Sequence, residues 1–140
     1  MVLKRDSTGP RPEAARSAVR RVLVIEDSAQ DALLLELAFE ELAPSVQVHL
    51  AHDGEEALHA LGTLPAPDFV LLDLHLPGRD GLELLGLVRD RVGEGVRVVC
   101  WSSRAQPREV EATSALGAAY VEKPLGHDDL LVLVESWLGG

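Results

Sequence analysis

The chain alternates between two kinds of apolar pattern. Short runs rich in β-branched and aliphatic residues occupy positions 21–26, 46–51, 69–73, 96–101 and 118–122. Between them, segments 28–42, 54–63, 81–92, 106–116 and 127–138 space their apolar residues three and four apart. The first kind predicts β-strands and the second amphipathic helices. Runs such as VLVI and FVLLDL are continuously apolar, as strands covered on both faces are. Ser28, with Asp31 three residues on, marks the start of the first helix. Strict strand–helix alternation predicts one α/β domain, with a parallel sheet between two helical layers.

Acids stand where two of the runs stop. The first ends on Glu26 and Asp27, the third on Asp73. In an open doubly wound sheet, ligands sit outside the carboxyl ends of the strands, where strand order reverses. In the flavodoxin-like (βα)5 order, 2-1-3-4-5, the first and third strands are neighbours at that point. Three carboxylates would then share one crevice. Two like charges about 4 Å apart repel by roughly 4 kcal/mol at an effective dielectric near 20. A cation would relieve that repulsion, and an all-oxygen donor set suits Mg²⁺, with Mn²⁺ or Ca²⁺ as substitutes. Without the ion, at least one of the three should have a raised pKa.

Composition narrows the class. No apolar run in the 140 residues approaches a membrane span, and the N-terminus has no apolar stretch fit for a signal peptide. The single Cys100 excludes an internal disulfide and fits a reducing cytoplasm; within VRVVCW it reads as a buried, inert thiol. The formal charge of −10 is uneven. Residues 1–21 hold six of the 13 basic residues and two acids, which leaves −14 on residues 22–140. A body that acidic repels a phosphate backbone, so neither nucleic acid nor membrane is an expected partner. Residues 1–20, with their Pro, Arg and Ser, read as a flexible tail ahead of a domain at 21–140. His49, His52, His59 and His127 have no metal-ligand spacing.

Five segments together carry a family resemblance. They are VLVIEDS, AHDGEEAL, DFVLLDLHLPGRDGLELL, VVCWSS and GAAYVEKP, in order from about Arg21 to Leu138. The chain resembles the receiver domains of two-component response regulators. The resemblance implies a signalling protein rather than an enzyme, acting only through self-catalysed phosphotransfer and dephosphorylation. By position, Asp73 corresponds to the phosphoacceptor, and Glu26 and Asp27 to the acidic pair. His75 would lend its backbone carbonyl to the metal, and its side chain would sit on the rim. Ser102 matches the switch hydroxyl, Tyr120 the switch aromatic, and Lys123 the crevice lysine, whose bond to Pro124 is often cis in such proteins. The sequence departs from the pattern at Glu26, where Asp is usual, at His75, and in its N-terminal leader.

The same resemblance implies partners. A sensor histidine kinase would dock on the first helix, where Leu33 and Leu37 fall beside Glu36 and Glu40, away from the core-facing stripe of Leu34, Leu35, Ala38, Phe39 and Leu42. The EDSAQD opening and DLHLPGRDG loop are similar to regulators paired with bacterial phytochrome kinases. On the last helix, Leu130, Leu131, Leu133, Val134, Trp137 and Leu138 span roughly 160°, with Val132 outside even that arc, wider than the stripe near 100° that one buried face needs. The surplus predicts a homodimer through Leu131, Trp137 and Leu138. The chain ends at Gly140, soon after that helix, so output is expected through protein contacts. Two alternatives use similar sheets. A haloacid dehalogenase-type phosphatase would want Asp-x-Asp after the first strand, where this chain has Glu26-Asp27-Ser28; in a flavodoxin-type FMN carrier, EDSAQD would repel the flavin phosphate.

Overall fold

The computed structural model describes residues 19–139. Five strands, β1 (Arg21–Ile25), β2 (Gln47–Ala51), β3 (Phe69–Asp73), β4 (Arg97–Ser102) and β5 (Ala119–Glu122), alternate with five helices. The helices are α1 (Ala29–Leu42), α2 (Gly54–Thr63), α3 (Gly81–Val92), α4 (Pro107–Ala115) and α5 (His127–Leu138). The strands form one parallel sheet in the order β2-β1-β3-β4-β5. Each element lies within a residue or two of the range the apolar pattern predicts.

Period-two alternation divides the central strands between two cores. Val22, Val24, Phe69, Leu71, Val99 and Trp101 face α1 and α5, where they meet Leu35, Phe39, Leu130, Val134 and Trp137. Leu23, Ile25, Val70, Leu72, Val98 and Cys100 face the other layer, with Ala57, Leu84, Leu85 and Val88. Both faces of β1, β3 and β4 are therefore dry, which explains why those runs are continuously apolar. Cys100 is buried, and burial pushes its thiol up to about 12, so it is inert as expected.

Two local devices shape the crevice end. Ser28 caps α1, its hydroxyl accepting from the Asp31 N–H at 3.2 Å. Gly81 opens α3 against the preceding loop: a Cβ there would sit 1.9 Å from the Leu74 carbonyl oxygen. Only glycine permits that approach, which sets the path of the loop carrying His75. At the other end, Arg89 of α3 donates to the carbonyls of Leu116, Gly93, Val96 and Gly117 at 2.8–3.1 Å, fastening α3 to the turn before β5.

Three expectations need correction. Val19 and Arg20, placed in the tail by composition, are tied into the fold. Val19 packs against the α1–α5 core, and the Arg20 N–H donates to Asp68 at 2.8 Å. The rest of the expected tail lies outside the described residues. Trp137 and Leu138 are core residues, 2% and 8% exposed, and form no outer face. Trp137 stacks on Phe69 with ring centroids 5.2 Å apart. The apolar stripe of α5 is wide because the helix covers two neighbours, the sheet and α1, leaving only Val132 strongly exposed at 66%. Finally, no cis peptide bond occurs among the described residues, so Lys123–Pro124 is trans.

Candidate functional site: an acid crevice closed by a lysine

Pairing of Ile25 with Leu72 in adjacent parallel strands places Glu26 and Asp73 side by side where β1 and β3 end. Asp27 follows at the mouth. One carboxylate oxygen from each of Glu26, Asp27 and Asp73 lies within 4.8 Å of the others. Glu26 is fully buried, Asp73 nearly so, and Asp27 is exposed.

Among the described residues, every crevice carboxylate but the outermost has protein partners. Glu26 accepts from the Ser28 N–H at 3.0 Å and from the Trp101 indole N–H at 3.0 Å. Asp73 accepts from the His75 N–H at 2.8 Å. Lys123, reaching across from the end of β5, lies 3.1 Å from Glu26, 3.2 Å from Asp73 and 2.9 Å from Asp31. Its three N–H donors thus match three acids. Burial works against the Lys123 charge, but the Asp31 hydrogen bond and the charges of Glu26 and Asp73 outweigh it and raise the pKa. Burial raises Glu26 to about 7, with the neighbouring Asp73 charge adding to it and the Ser28 N–H opposing. The expectation of a raised pKa among the clustered acids is met by Glu26.

On the side toward β5 the hydrogen bonds form a chain. The Ser102 hydroxyl lies 2.9 Å from the Arg104 carbonyl and 2.6 Å from the Tyr120 hydroxyl. Tyr120 donates to Glu109 Oε1 at 3.0 Å. The Glu109 carboxylate also meets His75 Nε2, at 2.9 and 3.1 Å. Burial, with Glu109 beside it, raises the Tyr120 pKa, against a smaller opposing effect of Ser102, so the phenol keeps its proton.

The structure thus brings Glu26, Asp27, Asp73 and Lys123 into one crevice, with His75 on its rim and Ser102 paired to Tyr120. Leu33 and Leu37 stand on the outer face of α1 at 55% and 46% exposure. Leu131 is half-buried. Three partners escaped the sequence reading. Asp31 looked like a helix-start residue, yet it anchors Lys123, a pairing that no spacing along the chain announces. Trp101, at the end of an apolar run, gave no sign that its N–H serves Glu26. Glu109 had no signal, because nothing along the chain relates the first turn of α4 to the loop after β3. A cleft of about 260 Å³, lined by Val22, Leu61, Leu64, Pro65 and Pro67, opens at the opposite end of the sheet from these acids.

The Response regulator receiver domain family matches residues 22–135. The chain is 32% identical over 129 residues to the transcriptional regulatory protein PdtaR of Mycobacterium tuberculosis, covering 91% of this chain and 61% of that protein. It is 34% identical over 129 residues to the probable methanogenesis regulatory protein FilR2 of Methanothrix harundinacea, covering 84% of this chain and 83% of that one. Among solved structures, the Mn²⁺-bound form of response regulator Rcp1 superposes with a TM-score of 0.75 at 26% identity, over 85% of this chain and 94% of that chain. This protein belongs to the response regulator receiver domain family, and its fold is the flavodoxin-like five-stranded arrangement of that family. The match favours neither the phosphatase nor the flavin-carrier alternative. No helix among the described residues is long and apolar enough to cross a membrane.

The donor set fits the ion that such a crevice implies. Glu26, Asp27 and Asp73 offer only oxygens, as does the His75 carbonyl, and the exposed Asp27 leaves a path in from solvent.

Proposed function

We propose that this protein receives a phosphoryl group on Asp73 from a phosphohistidine of a sensor kinase or phosphotransfer protein. The observation that carries the reading is the placement of Asp73: nearly buried, between two further acids, with Lys123 3.2 Å from Oδ2 and the His75 N–H on Oδ1. A carboxylate oxygen of Asp73 attacks phosphorus, the P–N bond of the phosphohistidine breaks, and the departing imidazole takes a proton from solvent. Such transfer asks the protein mainly for positioning and charge neutralisation. Lys123 holds the acceptor in place and neutralises an incoming phosphoryl oxygen. A divalent ion held by Glu26, Asp27, Asp73 and the His75 carbonyl supplies further neutralisation when bound. The new phosphoryl oxygens then offer the Ser102 hydroxyl a charged acceptor, and its departure from Tyr120 transmits the change.

Leu33 and Leu37 serve as the kinase-docking pair on α1, beside the crevice. The phytochrome kind of kinase rests on the EDSAQD and DLHLPGRDG segments alone. Self-association uses the outer side of α5, through Leu131 together with the exposed Val132, in place of Trp137 and Leu138.

The test is incubation with acetyl phosphate and Mg²⁺, then borohydride reduction and mass spectrometry. Reduction is expected to mark Asp73 alone, and Asp73→Asn should carry no label. Undiminished labelling in that variant would overturn the assignment.

A further inference from the structure

The hydrogen bonds that join Ser102 to α4 are one proton short. Three contacts link the Arg104 carbonyl, the Ser102 hydroxyl, the Tyr120 hydroxyl and Glu109 Oε1, at 2.9, 2.6 and 3.0 Å. Each hydroxyl has one proton to give; the carbonyl and the carboxylate have none. Only two of the three contacts can be hydrogen bonds at once. Either Ser102 donates to Tyr120 and Tyr120 to Glu109, or Tyr120 donates to Ser102 and Ser102 to Arg104.

The first direction wins on strength. A hydrogen bond to a carboxylate is roughly twice as strong as one between neutral groups. The Arg104 carbonyl is a neutral acceptor, in the loop after β4. Donation to Glu109 also polarises the phenol oxygen and makes it a better acceptor for Ser102. Glu109 itself is held in place from the far side by His75 Nε2.

We propose that the Glu109 carboxylate is a latch on Ser102: by drawing the Tyr120 proton, it keeps the Ser102 hydroxyl engaged with Tyr120 until a phosphoryl group on Asp73 competes for it. The inference rests on the phosphoacceptor reading of Asp73. The latch spans three elements, from the loop after β3 through α4 to β5, and sets the cost of leaving the resting arrangement. Glu109 acts through Tyr120 and is a positioning residue.

Beryllofluoride with Mg²⁺, a phosphoryl mimic, measures that cost without chemistry. Its affinity is read from Trp101 fluorescence or from the amide shifts of Ser102 and Tyr120. Glu109→Gln keeps the shape and removes the charge, and should bind the mimic about tenfold tighter, the size of the lost advantage of a charge-assisted bond. Tyr120→Phe, which lacks the hydroxyl that relays the proton, should do the same. The double variant should be no tighter than either single one, and in a Ser102→Ala background Glu109→Gln should change nothing. Urea unfolding of each variant establishes that it is folded. Equal affinity in wild type and Glu109→Gln overturns the latch, as does a Glu109→Gln effect that persists in Tyr120→Phe, which would route it through His75. A mimic that binds equally well to Asp73→Asn overturns the phosphoacceptor reading and the latch with it.

Discussion

The Trp101 indole N–H donates to the fully buried Glu26 carboxylate at 3.0 Å, across 75 residues of sequence. An aromatic residue of the α5-side core thereby holds the innermost acid of the crevice, and its ring also lies 5.4 Å from the Lys123 ammonium. The state of the crevice is consequently written on a natural fluorophore.

Trp101 emission should titrate in metal-free protein with a midpoint near 7, the value to which burial raises Glu26. Because the folded pKa lies above the unfolded one, near 4.5, this group's contribution to stability is complete below about 4.5 and is lost as pH rises through about 7. Mg²⁺, by binding the ionised form, should lower the midpoint, release a proton on binding near pH 6 and offset the loss. Glu26→Gln should flatten the titration. A midpoint unmoved by millimolar Mg²⁺ would separate Glu26 from the metal site.

Lys123 is the sole described cation within 4 Å of Glu26, Asp31 and Asp73. Lys123→Met should leave two buried acids facing each other and cost about 3 kcal/mol in urea unfolding at neutral pH. Saturating Mg²⁺ or a fall to pH 5 should restore part of it, since each removes the repulsion by a different route. A loss independent of both would mean that Lys123 contributes by packing alone.

Trp137 and Val132 sit five residues apart on α5 with opposite fates. Trp137→Ala should cost about 3–5 kcal/mol, because it empties a site between Phe69 and Trp101. Val132→Glu should alter stability by no more than about 0.5 kcal/mol. Light scattering across a concentration series should instead show weakened self-association in Val132→Glu and Leu131→Glu. Monomer mass in wild type at tens of micromolar, with and without beryllofluoride, would rule out the dimer.

Leu37→Glu should slow phosphotransfer from a partner histidine kinase at least tenfold while acetyl phosphate still labels Asp73 at the wild-type rate, because Leu37 is outside the crevice and belongs to the α1 outer face. Equal slowing in both assays would point to a damaged fold.

The apolar pattern alone was enough for the elements, the parallel sheet and the acid crevice. Runs like VLVI and FVLLD must be buried on both faces, and a strand that stops on Glu26-Asp27 or Asp73 must present those acids at its carboxyl edge. These are local consequences of period and chain direction. The wide stripe of α5 misled for the complementary reason: amphipathic width records how much surface is covered, and it took the fold to show that the sheet and α1 cover Trp137 and Leu138 together. Likewise no spacing along the chain relates Trp101 to Glu26, Asp31 to Lys123, or Glu109 to both His75 and Tyr120. Those contacts depend on strand order and on how far α1 and α4 lean over the crevice. Residue type and periodicity determine what each segment must bury; only the three-dimensional arrangement decides which polar groups meet at its edges.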